Sequence, residues 1–256
     1  MYDITKLVSQ EVFDKLLEVL PSPRQKRFGR KRCVKEALLG GILQVLVNDV
    51  AWEKIAYCGC SYVSCWRYFR ELQRRGELKL IYQVLAREKT DIAESAIDTT
   101  TATSFRFKSM TGWDGKHKKI GTKVSLFTDK GGLPTDVDFG KGNHHDACFV
   151  SGHLKKVSGR RIGTLNLDKI YVNLEFRREM RNKGTFVNMK TRKGDYIRKR
   201  GPKFRFDEEK YKVRFLVERS NAWLKNFRHI RLRREYHIAM FKAFVYLALI
   251  IVLLRN

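Results

Sequence analysis

Three acidic residues far apart along the chain, Asp98, Asp168 and Glu218, stand in settings where a carboxylate is costly unless positive charge lies nearby. Asp98 sits between apolar Ile97 and the hydroxyl run Thr99, Thr100, Thr101, and Asp168 closes the apolar stretch 163–167. Glu218 belongs to a row. Placed on one helix at 100° per residue, Tyr211, Arg214, Glu218 and Lys225 fall at about 0°, −60°, −20° and −40°, a single stripe. Val213, Leu216, Val217, Trp223, Leu224 and Phe227 occupy the opposite face. Hard divalent cations take oxygen ligands. Two of them about 3.5–4 Å apart can activate a water or a 3′-hydroxyl and stabilise the leaving oxygen of a phosphodiester. The pattern therefore predicts metal-dependent phosphoryl transfer on nucleic acid, with Asp98, Asp168 and Glu218 as ligands. Each carboxylate alone has a plainer reading: a strand-end turn for Asp98, a helix cap for Asp168, a surface ion pair for Glu218.

Such a site needs strands to carry the aspartates and a helix to carry the glutamate. Residues 96–103 are β-branched and strand-like, as are 123–128, and Asp129-Lys130-Gly131-Gly132 reads as the hairpin turn to a third strand at 133–139. A helix is expected at 144–157, a fourth strand at 163–167, a helix at 173–183 and a fifth strand at 185–189. The fold class is α/β, a mixed five-stranded sheet with helices on both faces, filling 91–256. Residues 1–90 read as an all-helical domain: an amphipathic segment at 12–20 stopped by Pro21 and Pro23, a basic linker at 24–35, then helices at 35–47, 50–57 and 62–75. Asn48-Asp49 would cap the second of these, Ser61 the third, and Gly76 would end it. Tyr62, Ser64, Arg67, Arg70 and Arg74 share the third helix. Two readings of this region stay open, a helix-turn-helix DNA reader and an ordinary bundle with a basic face.

Lys and Arg number 53 against 27 Asp and Glu, a formal charge of +26. A polyanion is the natural partner, and the basic residues lie along the whole chain, which points to nucleic acid before membrane. The stretch 190–205 holds eight basic residues and one acidic one and reads as an exposed loop on phosphate, with Arg192, Lys193, Arg198, Lys199 and Arg200 as contacts. The apolar run 243–254 is short for a membrane span and reads as a buried helix. No signal-like start is seen, so a reducing cytoplasmic compartment is expected. Cys58, Cys60 and Cys65 lack zinc-knuckle spacing and no fourth ligand follows them. With Cys33 and Cys148, they are expected to be ordinary thiols, the buried ones packing as small hydrophobes.

The spacing Tyr211, two residues, Arg214, three residues, Glu218, six residues, Lys225 resembles the C-terminal motif of bacterial insertion-sequence transposases of the DDE type. Ile97-Asp98-Thr99 resembles the family's first aspartate strand, and Asp168-Lys169-Ile170-Tyr171 its second aspartate segment. The basic approach 118–123, ending in Lys123, and Asn143-His144-His145-Asp146 are similar too. Trp52 and Tyr68-Phe69 resemble its helical DNA-binding region. Ile170 replaces a common glycine, and Asn173 stands where Asp or Ser is frequent.

The resemblance implies a ribonuclease-H-like catalytic domain in which the first and fourth strands run side by side and parallel. Asp98 would bridge two Mg²⁺ ions, replaceable by Mn²⁺, with Asp168 and Glu218 each holding one. Lys225 would contact phosphate near the cleaved end, and Arg214 and Tyr211 would brace the carboxylate or the DNA backbone. The implied partners are double-stranded DNA, both terminal repeats and target, and at least a second copy of the chain, in a prokaryotic nucleoid. The competing expectations are a non-catalytic DNA binder of the same ancestry and a nuclease that cuts without strand transfer.

Overall fold

The computed structural model describes residues 6–25, 27–29, 31–105, 109–171, 174–190 and 205–256. Ser9 caps the first helix, α1 (Gln10–Val19), by accepting the Val12 N–H at 3.4 Å. The second helix, α2 (Lys35–Asn48), is apolar nearly all round and buried on most sides. The helix expected at 50–57 is absent; only a 3-10 turn forms, Trp52–Lys54. Asp49 does not cap a following helix. It ends α2 in the left-handed conformation (φ 58), and its carboxylate accepts from His229 and Arg234 instead. Ser61 caps the third helix as expected, α3 (Tyr62–Arg74), and Gly76 (φ +70) separates it from α4 (Glu77–Lys89). A connection spanning 49–61 is far longer than the three- or four-residue turn of helix-turn-helix geometry. The short turn in this region is instead the one between α3 and α4, at Arg75-Gly76.

The sheet is mixed. Strand β1 (Glu94–Ser104) pairs antiparallel with β3 (Lys119–Asp129). The other edge of β3 carries β4 (Pro134–Lys141) along 122–128 and the short β2 (Gly112–Asp114) along 119–121, both antiparallel. On its free side, β1 meets β5 (Thr164–Asn166) in parallel at Glu94–Ala96 only, and β5 leads to parallel β6 (Phe186–Asn188). A two-residue strand, β7 (Leu232–Arg233), pairs with Thr103 and Ser104. The five expected strands are present, and β2 and β7 add to them. The first and fourth of the expected strands, β1 and β5, are parallel neighbours.

Side chains alternate across the sheet. Ala96, Ala102, Val124 and Leu126 face one core, while Ile97 and Phe127 face the other. The second core is closed by α5 (Cys148–Lys156) and α6 (Leu174–Asn182). Helix α5 starts at Cys148, later than the expected 144, and the Asp146 side chain ahead of it accepts from Lys123 at 2.6 Å. On the first face lie α8 (Val213–Asn226), α9 (Arg228–Arg231) and α10 (Ile238–Leu254), preceded by the short α7 (Glu208–Tyr211). Helix α10 is buried along most of its length and starts at Ile238, ahead of Lys242 and the apolar run 243–254. Helices α1 to α4 share this same core through Leu16, Leu39, Phe69 and Tyr82, packed with Phe241, Phe244 and Tyr246. No helix among the described residues is long and apolar enough to cross a membrane.

Candidate active site

Position decides the chemistry of Asp98. It lies two residues past the last β1–β5 pair and five before the β1–β7 pairs, so β1 is unpaired on that side at Asp98. Alternation puts Asp98 on the face of Ala96 and Ala102, where α8 packs. Asp168 stands two residues past β5, at the start of a 3-10 turn, Lys169–Tyr171. Parallel pairing of β1 and β5 thus brings both aspartates to one end of the strands, the usual place for ligands in such sheets.

Two devices dock α8 over this end. The β3–β4 hairpin is held by Asp129 Oδ1, which accepts from Gly131 N (2.9 Å) and Leu133 N (2.8 Å). Gly132 has φ +82, and a Cβ there would meet the Leu216 carbonyl and the Ser220 hydroxyl of α8 at 3.1 Å each. Ser220 Oγ donates to Gly132 O, and Arg219 Nη2 to Gly131 O at 3.1 Å. The second device is a buried asparagine chain. Asn166 Nδ2 donates to Ser95 O (3.2 Å). Asn188 Nδ2 donates to Asn166 Oδ1 (2.9 Å) and to Asp207 O (2.7 Å), while Asn188 Oδ1 accepts from Asp207 N (3.0 Å). Asp207 caps α7 by accepting from Lys210 N. These asparagines were not singled out from sequence, although Asn is unfavourable in a strand interior and so marks such a role.

Arg214 is the centre of the site. Its Nη1 lies 2.8 Å from Glu218 Oε1, its Nη2 3.5 Å from Asp168 Oδ2, and its side chain is only 17% exposed. Asp98 Oδ2 accepts from Asn221 Nδ2 at 3.0 Å. Burial pushes the Asp98 carboxyl up, and Glu218 adds to this, against the lowering pull of the Thr99 amide, Arg214 and Lys116. The Tyr171 hydroxyl is buried without a hydrogen-bond partner among the described residues, and burial followed by Asp146, Asp98 and Asp168 raises its pKa. The carboxylates offer an all-oxygen donor set, which fits hard divalent cations. Asp168 and Glu218 pair with one guanidinium, Asp98 lies within its electrostatic reach, and the three carboxylates are not at metal-chelating distance. Among the described residues, the one trio of potential ligands with donor atoms all within 4.8 Å is Cys58, Cys60 and Cys65.

Several expected nucleic-acid contacts are placed differently. Lys123 is buried, and its Nζ donates to Asp146 Oδ1 (2.6 Å) and His144 O (2.7 Å). Its charge is met inside the protein by Asp146, the arrangement of an internal ion pair. Tyr211 does not extend the α8 stripe; α7 ends there and Lys212 starts a new turn. The Tyr211 ring is buried, edge-on to Phe206 at 5.1 Å, with Lys190 Nζ 5.4 Å above it. Arg214 braces Asp168 and Glu218 directly, whereas Tyr211 is within electrostatic reach of the same two carboxylates. Arg67, Arg70 and Arg74 are exposed on α3. Arg192, Lys193, Arg198, Lys199 and Arg200, and the departure at Asn173, lie outside the described residues. Lys225 is exposed at the end of α8. Partial desolvation, then repulsion from Lys119 and Arg231, lowers its pKa, and Asp98 pulls the other way. With Lys116 near Asp98, these residues form a basic rim, of which the sequence motifs single out Lys225 and the 118–123 approach but not Lys116 or Arg231. Asp114 organises its tip, accepting from the Lys116 and His117 amides at 3.0 and 3.1 Å.

The sequence matches the family described as Transposase DDE domain over residues 89–253. A search of curated proteins returns no match. Among solved structures, the chain is similar to the piggyBac transposase in a synaptic complex with hairpin DNA. The TM-score is 0.51 at 12% identity, over 99% of this chain and 75% of that one, a likeness of fold.

Proposed function

The chain belongs to the transposase DDE-domain family, and from that premise we propose that it cleaves the ends of a DNA element and joins the freed 3′-hydroxyls to target DNA. The observation that carries this reading is that α8 reaches all three carboxylates, Arg214 pairing with Asp168 and Glu218 and Asn221 donating to Asp98. Water attacks the phosphodiester at the element's end and leaves a 3′-hydroxyl, which then attacks target DNA in line without a covalent protein intermediate. Asp98, Asp168 and Glu218 would hold two Mg²⁺ ions, which supply Lewis acidity to the attacking and leaving oxygens. Asn221 orients Asp98. Arg214 holds the other two carboxylates in place and sets a fixed positive charge beside them. Lys225, Lys116, Lys119 and Arg231 line the approach with positive charge, which places the DNA backbone and offsets developing charge. Terminal inverted repeats are the DNA this reading requires, and two ends call for at least two copies of the chain.

The test uses Asp98→Ala, Asp168→Ala and Glu218→Gln with a labelled duplex carrying the element's end. Each variant is expected to lose Mg²⁺-dependent cleavage and keep binding; cleavage surviving in any one removes its residue from the site. A second reading, a silent DNA binder of the same ancestry, draws on the arginine lodged among the carboxylates. Nicking of the duplex with Mn²⁺ by the unaltered chain excludes it.

A further inference from the structure

A second group of side chains, outside the carboxylate site, is built like a metal centre. Cys58, Cys60 and Cys65 bring their sulfurs together with all donor atoms within 4.8 Å of one another. Cys58 Sγ and Cys60 Sγ are 4.0 Å apart, and Cys60 Sγ and Cys65 Sγ 3.3 Å. A zinc ion with metal–sulfur bonds of about 2.3 Å at the centre of a sulfur tetrahedron makes sulfur–sulfur edges of about 3.8 Å. The observed spacings bracket that edge without a metal to draw them in.

The chain is shaped to produce this trio. Gly59 has φ +89, a conformation that lets the residues on either side turn to one pocket. Ser61 then starts α3, and Cys65 follows in its first turns, fully buried against α2. The contact point on α2 is Gly41. A Cβ there would stand 2.5 Å from Cys65 Sγ, 3.0 Å from Ile55 Cδ1 and 3.3 Å from Cys58 Sγ, so bare backbone makes room for the sulfurs. Cys33, just before α2 and half-buried, is close enough to add electrostatically to the Cys60 thiol. No fourth ligand follows the trio in sequence, but one precedes it. Cys148 lies exposed on α5, away from this group.

We propose that Cys58, Cys60 and Cys65 bind one Zn²⁺ ion as thiolates and that Cys33, packed on the same core but outside their 4.8 Å group, moves in to complete the tetrahedron. Sulfur donors select a soft-accepting ion and leave Mg²⁺ to the carboxylates. Without a metal, burial opposes ionisation: it pushes the Cys60 thiol up to about 11 despite a hydrogen bond with Cys65, and Cys65 higher still. A dication reverses that penalty, because it binds the thiolate form and releases the protons. The ion would clamp the strap before α2, the turn 56–61 and the start of α3 onto one another. That fixes the orientation of the α3 face carrying Arg67, Arg70 and Arg74.

The experiment measures zinc in the full chain purified under reducing conditions without chelator. The stripped chain is then titrated with Co²⁺, whose visible bands report tetrahedral thiolate coordination. One equivalent of metal per chain is expected, with those bands displaced by Zn²⁺. Cys58→Ser, at a half-buried position that tolerates a hydroxyl, should abolish the bands, and Cys33→Ser should weaken binding at least about tenfold. Cys148→Ser should change nothing. A chain that binds no Co²⁺ or Zn²⁺ while all five thiols titrate freely overturns the proposal. So does a Cys60–Cys65 disulfide under those conditions, or an iron–sulfur chromophore in place of zinc. All three readings come from the unaltered chain, so a misfolded variant cannot mask the answer.

Discussion

Asn221 and Lys123 are polar residues buried in opposite circumstances. Asn221 donates to Asp98 and leaves its own Oδ1 without a hydrogen-bond partner among the described residues. A group that orients a metal ligand in this way sets metal affinity more than DNA affinity. Asn221→Ala is expected to raise the Mg²⁺ concentration for half-maximal cleavage about 10- to 100-fold, with duplex binding unchanged in a gel-shift assay. Lys123 is the reverse case, since its charge is consumed by Asp146. Lys123→Met strands that carboxylate in the interior and should cost about 3–5 kcal/mol in denaturant unfolding. The salt dependence of DNA binding should not change, whereas a shallower slope would mean that Lys123 reaches phosphate after all.

At the scale of elements, the join between α2 and the α9–β7 segment is a titrating link. His229 is buried, with Nδ1 2.8 Å from Asp49 Oδ1 and Nε2 3.3 Å from Glu235 Oε1, its ring edge-on to Phe244 at 4.3 Å. Burial opposes its protonation, but hydrogen bonds to Asp49 and Glu235 outweigh that and raise its pKa. A raised folded-state value means stabilisation that is full below the unfolded pKa of about 6.5 and lost as pH rises through the folded value. Burial would raise Asp49, but His229 and Arg234 lower it, so its contribution holds above about pH 3.9 and fades only as pH falls through the lowered value. Thermal midpoints should therefore be highest between these limits and decline on the alkaline side. His229→Gln should flatten the alkaline limb; an unchanged limb would assign the decline to other groups. Asp49 also explains the missing helix at 50–57. Its type reads equally well as an N-cap or a left-handed stop, and the choice was made by partners some 180 residues away, which no local pattern contains.

For the whole molecule, the helical part and the sheet are joined by one core that α10 threads. A fragment ending at residue 90 would lack the partner that Leu16, Leu39 and Phe69 pack against. We expect it to give helical far-ultraviolet dichroism without a cooperative melt, while the full chain melts as a unit. A fragment that unfolds cooperatively would make the boundary at 90 a true domain border. The charge of +26 is a property of the molecule rather than of one motif. Six to ten phosphate contacts predict that duplex affinity falls about 10³- to 10⁵-fold between 50 and 200 mM salt. A nearly flat dependence would remove the basic faces from the interface.

What could be read from residue order was whatever depends on near neighbours and on composition. Alternation and β-branching marked the strands, Ser61 and Gly76 marked the limits of α3, and helical spacing placed Arg214 four residues before Glu218. The positive balance pointed to a polyanion. The tertiary structure decided everything that depends on which distant groups meet. Parallel pairing of β1 and β5 set Asp98 beside the end that carries Asp168, and the hairpin at Gly132 seated α8 above both. Burial turned Lys123 from an apparent phosphate contact into an internal ion pair, and a glycine on α2 opened space for three sulfurs. Charge and periodicity are written along the chain, but burial and long-range partnership exist only once the chain has closed on itself.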